Sequence, residues 1–252
     1  MEKILVYFAI KYNGDWDKIY RAINQKEKVD IESLNDLIKQ HGEKYITLLS
    51  ENYPSRLKSI YKPPFVLFYR GDISLINSHK SVAIVGSRKN SDYGRDVTQR
   101  LSRELAKNNI TIVSGLAKGI DSIAHESCLE VDGKTIAVLG NGLNISYPSE
   151  NEELKNAIET KGLVISEYPN NVEPDKENFP TRNRIVAGLS DGVIVSEARN
   201  KSGTMITVTR ALEMGKDIFC VPYKVGEDSG CNSLIKDGAK LIETHEDVLN
   251  EL

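Results

Sequence analysis

The sequence is poor in the residues that build disulfide frameworks and metal sites, with only three cysteines and four histidines among its 252 residues. Cys128, Cys220 and Cys231 form no C-x-x-C pair, and no two histidines have the spacing of a zinc helix. The amino-terminal apolar stretch spans about seven residues without a small-residue cleavage site, which excludes a signal peptide and a membrane span. We therefore expect a reduced, cytoplasmic protein that has no membrane segment and binds no metal.

The sequence also lacks a large excess of charge of one sign, since it contains 33 lysines and arginines and 36 aspartates and glutamates. The net charge of −3 excludes indiscriminate coating of nucleic acid. A local basic groove stays possible, because salt confines the effect of a charge to about 8–10 Å. With 40% hydrophobic and 27% charged residues, the chain has the composition of an ordinary globular protein.

The first 52 residues predict a small helical module, because apolar residues recur at three- and four-residue spacing without a strand pattern. Residues 53–79 predict a linker, since three prolines forbid a long helix. Within this linker, we expect the extended stretch FVLFYRG to dock as a strand on the following domain. The predicted helices of the module are EKILVYFAIKY, DWDKIYRAINQ, IESLNDLIKQ and KYITLLSE.

From residue 80 to residue 252, short apolar runs alternate with helical stretches. This pattern predicts an α/β fold with a Rossmann-like, doubly wound parallel sheet that is covered on both faces. Such sheets bind their ligands beyond the carboxyl ends of the strands. The predicted strands are VAIVG, ITIVS, TIAVLG, LVISE, GVIVSE, IFCVP and KLIE.

The predicted strand ends carry glycine and basic residues in loops that lead into helices. The first strand ends in Gly86-Ser87-Arg88 and the third in Gly140-Asn141-Gly142. Glycine lets the backbone approach a ligand, and the free N–H groups of a helix start attract anions, which together indicate a phosphate site. Glycine also serves turns, and Lys or Arg serves solvated loops, so a structural interpretation stays open for each single loop. The basic residues expected at this edge are Arg88, Lys89, Lys118, Lys176, Arg182, Arg184 and Lys201.

The stretch NFPTRNRIVAGLS places Phe179 beside Arg182 and Arg184. An aromatic ring next to cations is typical of a groove for single-stranded nucleic acid, where bases stack and phosphates pair with Arg or Lys. Two structural interpretations stay open. Phe179 could anchor its loop on the sheet, and the two arginines could pair with Glu167 or Glu197 inside the fold.

No catalytic constellation is present in the sequence. Ser114, Ser202 and Thr204 have no histidine at an equivalent strand end to act as a base, and the G-x-S-x-G and Walker motifs are missing. Glu167 and Glu197 end successive predicted strands, where carboxylates that face cations are expected to orient them. We therefore expect a binding protein with no catalytic residue and no cofactor, and not an enzyme.

A series of motifs follows in fixed order from residue 82: VAIVGSR, IVSGLAKGIDSIAH, GKTIAVLGNGLNISYPSEN, GLVISEYP, FPTRNRIVAGLS, SGTMIT and LIKDGAKLI. In order and spacing, this series resembles the DprA/Smf family of bacterial DNA-processing proteins. The resemblance implies an extended Rossmann domain that binds single-stranded DNA, and a homodimer with contacts in residues 205–250. It also implies loading of the RecA recombinase on incoming DNA during natural transformation. The N-terminal module is similar in position to the family's sterile-alpha-motif-like (SAM-like) module.

In that family an arginine of the Gly-Ser-Arg loop, a lysine and a phenylalanine line the DNA pocket, and these correspond to Arg88, Lys176 and Phe179. The resemblance implies that the two cations bind phosphates and that Phe179 stacks on a base or sugar. Lys118 stands where many members have arginine, and Cys231 replaces a common glycine. The sequence stops without the winged-helix domain of many members, so no function of that domain is expected. The expected DNA-binding residues are Gly86, Ser87, Arg88, Lys118, Lys176, Phe179, Arg182, Arg184, Ser202 and Thr204.

Two alternative functions use a similar sheet. A nucleotide-processing enzyme of the lysine-decarboxylase-like phosphoribohydrolase type has a comparable Gly-Thr helix start, but the position of its glutamate, three residues after the threonine, is Thr207 here. A sensor of a small nucleotide would use the helix starts at Gly86 and Gly203 without catalysis. The recombination mediator is the favoured prediction.

Overall fold

One nine-stranded sheet runs through the protein, which a computed structural model describes over residues 1–252. Its strands, in chain order, are β1 (Lys44–Thr47), β2 (Val66–Gly71), β3 (Ser81–Gly86), β4 (Thr111–Ser114), β5 (Thr135–Leu139), β6 (Leu163–Ser166), β7 (Gly192–Glu197), β8 (Asp217–Cys220) and β9 (Lys240–Leu241).

Across the sheet the strands follow the order β1-β2-β6-β5-β4-β3-β7-β8-β9. In this spatial order, all neighbouring strands from β6 through β5, β4, β3, β7 and β8 to β9 are parallel. Strand β2 pairs antiparallel with β6, and β1 pairs antiparallel with β2. The predicted α/β fold with a doubly wound parallel sheet is therefore confirmed. The chain leaves β3 for β4 on one side and later returns to β7 on the other, so the carboxyl ends of β3 and β7 flank the crevice where such sheets bind ligands.

Helices cover the sheet because both faces of a parallel sheet are apolar. In chain order they are α1 (Glu2–Lys11), α2 (Trp16–Asn24), α3 (Ile31–His41), α4 (Ser55–Lys58), α5 (Asp92–Lys107), α6 (Ile120–Leu129), α7 (Glu152–Lys161), α8 (Asn178–Leu189), α9 (Thr204–Glu213), α10 (Gly230–Lys236) and α11 (His245–Leu249).

The side chains of the central strand β3 alternate between two buried cores. Val82 and Ile84 pack with α5 and α6 on one face. Ala83 and Val85 pack with α8 and α9 on the other face. Because both faces are buried, this strand has a continuous apolar sequence without polar alternation. The two helix layers also place the starts of α5, α6, α8 and α9 along the same edge of the sheet.

The predicted helix over KYITLLSE is wrong, because residues 44–47 form strand β1. Thr47 lies opposite Val66 in β2, and the side chain of Ile46 is buried in the core. Tyr, Ile and Thr favour strands, and pairing with β2 supplies backbone partners that the sequence spacing does not reveal. The N-terminal residues therefore contribute a strand to the main sheet as well as the helices α1 to α3.

The N-terminal helices share one buried core with the sheet. Phe8 of α1 and Ile19 of α2 pack in the same cluster as Phe68 of β2 and Leu139 of β5. The side chain of Trp16 donates a hydrogen bond to the carbonyl of Pro63 at 2.8 Å. The helices are thus attached to the sheet edge by apolar contacts, while the division of the chain at residues 52 and 79 stays a prediction.

Candidate nucleic-acid interface

A groove of ≈ 800 Å³ opens at the carboxyl ends of β3, β4 and β7, and we call it the carboxyl-edge groove. It lies at the switch point of the sheet, where the loops after several strands converge. Eight of the ten predicted site residues line it, namely Gly86, Ser87, Arg88, Lys176, Phe179, Arg182, Ser202 and Thr204. Lys118 lines a small adjoining pocket, and Arg184 lines a different groove.

The Gly86-Ser87-Arg88 loop is held by backbone contacts with its neighbours. The N–H of Ser87 donates to the carbonyl of Glu197 at 2.8 Å, and the carbonyl of Ser87 accepts from the N–H of Ile120 at 3.2 Å. A Cβ atom at Gly86 would lie 2.7 Å from the carbonyl oxygen of Glu197, so only glycine allows this crossing. The close packing of three loops leaves the side chain of Arg88 as the exposed group.

The carboxylate of Glu197 is bound to the start of α5. It accepts hydrogen bonds from the N–H of Ser91 at 3.0 Å and from the hydroxyl of Ser91 at 2.6 Å. Ser91 is the N-cap of α5, and a Cβ atom at Gly94 would lie only 2.0 Å from a carboxylate oxygen of Glu197. Glu197 was expected to orient cations, but it stabilises a helix N-terminus instead.

Arg184 is buried in an ion pair. Its Nη2 atom lies 2.7 and 2.8 Å from the two carboxylate oxygens of Glu167, and both side chains are about 95% buried, with 4% and 5% exposed. The same guanidinium donates to the carbonyls of Lys62 and Thr181, each at 2.9 Å. The interpretation as a structural ion pair therefore describes Arg184, which has no free face for a phosphate.

Arg182 is buried below the floor of the carboxyl-edge groove. Its Nη1 atom donates to the carbonyl of Gly115 at 2.5 Å and to that of Val138. Burial lowers the pKa of Arg182 to about 10, and the neighbouring carboxylate of Asp121 opposes this shift. The guanidinium stays charged at neutral pH, so it fixes the ends of β4 and β5 and adds positive charge under the groove. It was expected at the DNA surface, but it is 4% exposed.

Five exposed cations surround the carboxyl-edge groove. They are Arg88, Lys89, Lys176, Arg199 and Lys201, and none of them has a carboxylate oxygen within 4.0 Å. Lys118 differs from them because its Nζ atom lies 2.6 Å from a carboxylate oxygen of Glu150. The rim therefore presents unpaired positive charge on side chains that are free to move toward an anion.

An aromatic pair lies among these cations. The ring of Tyr147 stacks on that of Phe179 at a centroid distance of 5.4 Å and an angle of 29°. The guanidinium carbon of Arg88 lies over the Phe179 ring, 5.5 Å from its centroid. Sequence analysis did not select Tyr147. Its position seven residues after Gly140, in the loop that follows β5, was the signal that could have identified it.

The start of α9 also faces this groove. No side chain caps the helix, and a Cβ atom at the N-cap Gly203 would have no neighbour within 4 Å. The hydroxyl of Thr204 donates to the carbonyl of Gly86 at 3.0 Å, which joins α9 to the loop after β3. The N–H groups of Met205 and Ile206 donate to the carbonyls of Ser202 and Gly203, and the helix dipole leaves partial positive charge at the groove wall.

A second groove of ≈ 670 Å³ separates the N-terminal helices from α8, and we call it the module groove. It also combines aromatic rings with cations, since Nζ of Lys62 lies 5.3 Å from the ring centroid of Trp16. Its cations are paired within the protein. Lys62 contacts Asp17 at 2.6 Å, and Arg210 contacts Glu213 at 2.8 Å. Further acidic residues in its lining are Asp15, Glu173, Asp175 and Glu177.

The fold and the carboxyl-edge groove define the class of the protein: a doubly wound α/β protein with unpaired cations and aromatic rings at its switch point. Residues 44–252 match the family of DNA recombination-mediator protein A, and the chain belongs to this family. The predicted resemblance is thereby confirmed. Separately, no helix of the structure is both long enough and apolar enough to cross a membrane.

Individual relatives agree with this assignment. The chain is 46% identical over 207 residues to DNA processing protein DprA of Streptococcus pneumoniae, an alignment that covers 81% of this chain and 73% of that protein. The X-ray structure of the pneumococcal DNA processing protein A superimposes with a TM-score of 0.81 at 36% identity, over 99% of this chain and 93% of that one. A structure of DNA processing protein A from Helicobacter pylori is described for its single-stranded DNA binding mode. It superimposes with a TM-score of 0.76 at 37% identity, over 84% of this chain and 96% of that one.

Proposed function

We propose that this protein is a recombination mediator that binds single-stranded DNA in the carboxyl-edge groove. The observation that carries the proposal is the set of five exposed, unpaired cations around an aromatic pair. Phosphates and flexible strands need this combination, because cations bind the backbone while rings stack on unpaired bases. The Helicobacter pylori relative, named for single-stranded DNA binding, supports the choice of ligand.

In the proposed complex, Arg88 and Lys176 bind successive phosphates of one strand. The uncapped start of α9 at Gly203 and the charge of buried Arg182 attract the same backbone from the wall and the floor. Glycines at the strand ends allow the strand to approach the protein closely. Duplex DNA is excluded from the aromatic contact, because its bases are already stacked and hidden.

A titration of labelled oligo-dT and of a duplex of equal length, each at several salt concentrations, tests this proposal. We expect the single strand to bind more tightly, with affinity that falls as salt rises because phosphate contacts release counterions. Equal or tighter binding of the duplex, or an affinity independent of salt, would contradict it.

We further propose a non-catalytic role. The two carboxylates at the strand ends are both occupied, Glu167 by Arg184 and Glu197 by Ser91, so neither is free to act as a base. Purified protein is expected to hydrolyse neither ATP nor nucleoside monophosphates. Turnover that persists through purification and disappears in a Glu197→Gln variant would establish the nucleotide-processing alternative.

As the cellular role, we propose that a homodimer loads RecA on incoming DNA during natural transformation. Leu212 and Leu241, in the part of the chain expected at the dimer contact, are 58% and 49% exposed, which suits an apolar interface. Sedimentation at micromolar concentration is expected to return a dimer, and a monomer would contradict this part. Loading is expected as faster RecA assembly on a single strand at limiting RecA, and an unchanged rate would contradict it.

A further inference from the structure

We propose that the module groove binds a lysine- or arginine-rich segment of a partner protein. With a volume of ≈ 670 Å³, the groove falls within the range of about 300–1,000 Å³ that is usual for ligand sites. It shares no lining residue with the carboxyl-edge groove, so its occupancy does not depend on the proposed binding of DNA. Its lining offers free negative charge, aromatic rings that hold a cation, and a buried tyrosine with a free hydroxyl.

The lining of the module groove carries free negative charge but no free positive charge. Each of its five cations has a carboxylate of the protein within 4.0 Å. The pairs are Lys11 with Glu27, Lys18 with Asp15, Lys62 with Asp17, Arg184 with Glu167, and Arg210 with Glu213. In contrast, the exposed carboxylates of Glu173, Asp175 and Glu177 have no cation within that distance. This surplus would repel a phosphate backbone and attract a cationic partner.

The segment from residue 173 to residue 177 separates the charges of the two grooves. Glu173, Asp175 and Glu177 line the module groove, whereas the alternate residues Pro174 and Lys176 line the carboxyl-edge groove. The carboxylate of Asp175 accepts from the N–H of Glu177 at 2.7 Å, which fixes the end of the segment. The three carboxylates therefore form one wall of the module groove rather than a scatter of exposed acids.

The aromatic rings of the groove already hold a cation of the protein itself. Nζ of Lys62 lies 5.3 Å from the ring centroid of Trp16 and 5.6 Å from that of Tyr61. The guanidinium carbon of Arg210 lies 5.9 Å from the centroid of Tyr61. Aromatic faces attract ammonium and guanidinium groups, and nearby carboxylates strengthen the attraction. Tyr61 is still 64% exposed, so its ring has surface left for a cation of a partner.

A buried tyrosine adds a free polar group to the groove. Tyr168 lines the groove and is only 5% exposed, and its hydroxyl has no hydrogen-bond partner in the protein, whereas its N–H donates to the hydroxyl of Ser166. Burial and the nearby carboxylate of Glu167 raise the pKa of Tyr168, and Asp15 of the groove adds to the shift. The phenol therefore stays protonated at neutral pH. Buried polar groups normally have a partner, so this hydroxyl points to a ligand in the groove.

These features favour a basic peptide over other cationic ligands. A divalent metal ion does not fit, because no three carboxylate, histidine or cysteine side chains converge as a metal site requires. A polyamine would satisfy the carboxylates, but it offers no acceptor to the protonated hydroxyl of Tyr168. A peptide offers both groups. Its cations stack on Tyr61 and pair with Glu173 or Glu177, and one of its carbonyls accepts from Tyr168.

The fluorescence of Trp16 provides the test, because Trp16 is the only tryptophan of the chain and lines this groove. A short peptide of alternating arginine and glycine is expected to change this fluorescence saturably, and the same peptide with glutamate for arginine is not. The double variant Glu173→Gln with Glu177→Gln is expected to weaken binding about 2- to 30-fold. Tyr61→Leu is expected to weaken it about two- to fivefold. Tyr168→Phe, which removes only the free hydroxyl, is expected to weaken it about 2- to 12-fold with unchanged stability.

The matched control is Glu153→Gln with Asp237→Asn, which removes the same charge from two exposed, unpaired carboxylates that line neither groove. It is expected to bind the arginine peptide like the wild type. An unchanged fluorescence of Trp16, or an equal loss of affinity in the groove variant and the control, would overturn the proposal. Spermidine that binds as tightly as the peptide would also overturn it, since the occupant would then be a polyamine. Oligo-dT binding, measured in parallel, tests the proposed function separately.

Discussion

The two grooves on either side of α8 both combine aromatic rings with cations, but they differ in electrostatic character. The carboxyl-edge groove places Arg88 over the ring of Phe179, and the module groove places Lys62 over the ring of Trp16. The difference is that Arg88 has no carboxylate within 4.0 Å, whereas Lys62 is paired with Asp17 at 2.6 Å. An aromatic ring beside a cation is therefore common to both grooves, and the unpaired cation is the feature on which the proposed phosphate site rests.

The physical reason is that a phosphate must compete with any partner that the cation already has. An exposed ion pair is worth only about 0.2–1 kcal/mol, so a single pair would not block DNA. Around the module groove, however, the pairs come with additional acidic residues, Glu173, Asp175 and Glu177. These carboxylates would repel a phosphate backbone, whereas the unpaired cations of the carboxyl-edge groove are expected to attract it.

The largest effect, a loss of folding stability, is expected when Arg184, the buried cation that lines the module groove, is removed. Arg184→Met leaves the carboxylate of Glu167 buried without a partner, so we expect a loss of about 3–5 kcal/mol in the free energy of unfolding. Urea unfolding measures it. The double variant with Glu167→Gln should recover part of the loss, and Arg210→Met, which breaks only an exposed pair, should cost less than about 1 kcal/mol. Arg184→Met within 1 kcal/mol of the wild type would show that the pair is not structural.

A smaller effect, on binding alone, is expected from Lys176. Removal of this exposed, unpaired cation by Lys176→Ala should weaken oligo-dT binding by about tenfold at low salt, with unchanged stability. Fluorescence anisotropy gives the affinity, and thermal unfolding gives the control. Wild-type affinity in this variant would remove Lys176 from the proposed contacts.

His41 links the N-terminal helices to the loop before Lys176. Through this link, we expect oligo-dT binding in the carboxyl-edge groove to depend on pH. Its Nε2 atom accepts from the N–H of Asn170 at 3.1 Å, and its carbonyl accepts from the amide of Asn170 at 2.8 Å. Burial lowers the pKa of His41 below 6.5, while Glu43 opposes the shift. The stabilisation from neutral His41 is therefore complete above pH 6.5 and is lost as the pH falls through the lowered pKa.

Protonation of His41 removes the acceptor for the N–H of Asn170 and leaves the bond to the carbonyl of His41, so the loop is held less firmly. We expect oligo-dT affinity to fall to roughly a third as the pH drops below 6.5 and through the lowered pKa of His41, because about 0.5–1 kcal/mol of hydrogen bonding is lost. His41→Gln keeps an acceptor that does not titrate, so its affinity should stay constant over the same range. An equal loss in both proteins would assign the effect to another group.

The smallest effect is expected from the cations of the module groove. Lys62→Ala and Arg210→Ala should bind oligo-dT within about twofold of the wild type, since both side chains are already paired. The same anisotropy assay measures them. A tenfold loss in either variant would make the module groove part of the DNA path.

The sequence predicted the parallel sheet because its strands are buried on both faces and are therefore continuously apolar. The prediction of a helix failed at residues 44–47, where pairing with the distant residues 66–69 decides the conformation. Contacts between distant residues also limited the prediction of the candidate site. The position of Arg88 at a strand end could be predicted from the Gly-Ser-Arg loop, but the burial of Arg182 and Arg184 could not.

Arg182 and Arg184 show why part of the site is hidden from sequence analysis. Both follow Phe179 closely and have the residue type that phosphates require. Only the three-dimensional contacts show that Arg182 donates to the carbonyl of Gly115 and that Arg184 pairs with the carboxylate of Glu167. Tyr147 was missed because its stacking on Phe179 joins the loop after β5 to the start of α8, two segments that are distant in sequence.

The most direct test of the central claim is the salt dependence of oligo-dT binding for Arg88→Ala and Lys62→Ala, measured beside the wild type. Each phosphate contact on a single strand contributes about −0.7 to the slope of log K against log salt. The unpaired Arg88 is predicted to lose about one such contact, with weaker binding to all sequences, whereas the paired Lys62 is predicted to leave slope and affinity unchanged. Arg88→Ala with the wild-type slope and affinity, or Lys62→Ala with a slope lowered by as much, would contradict the account.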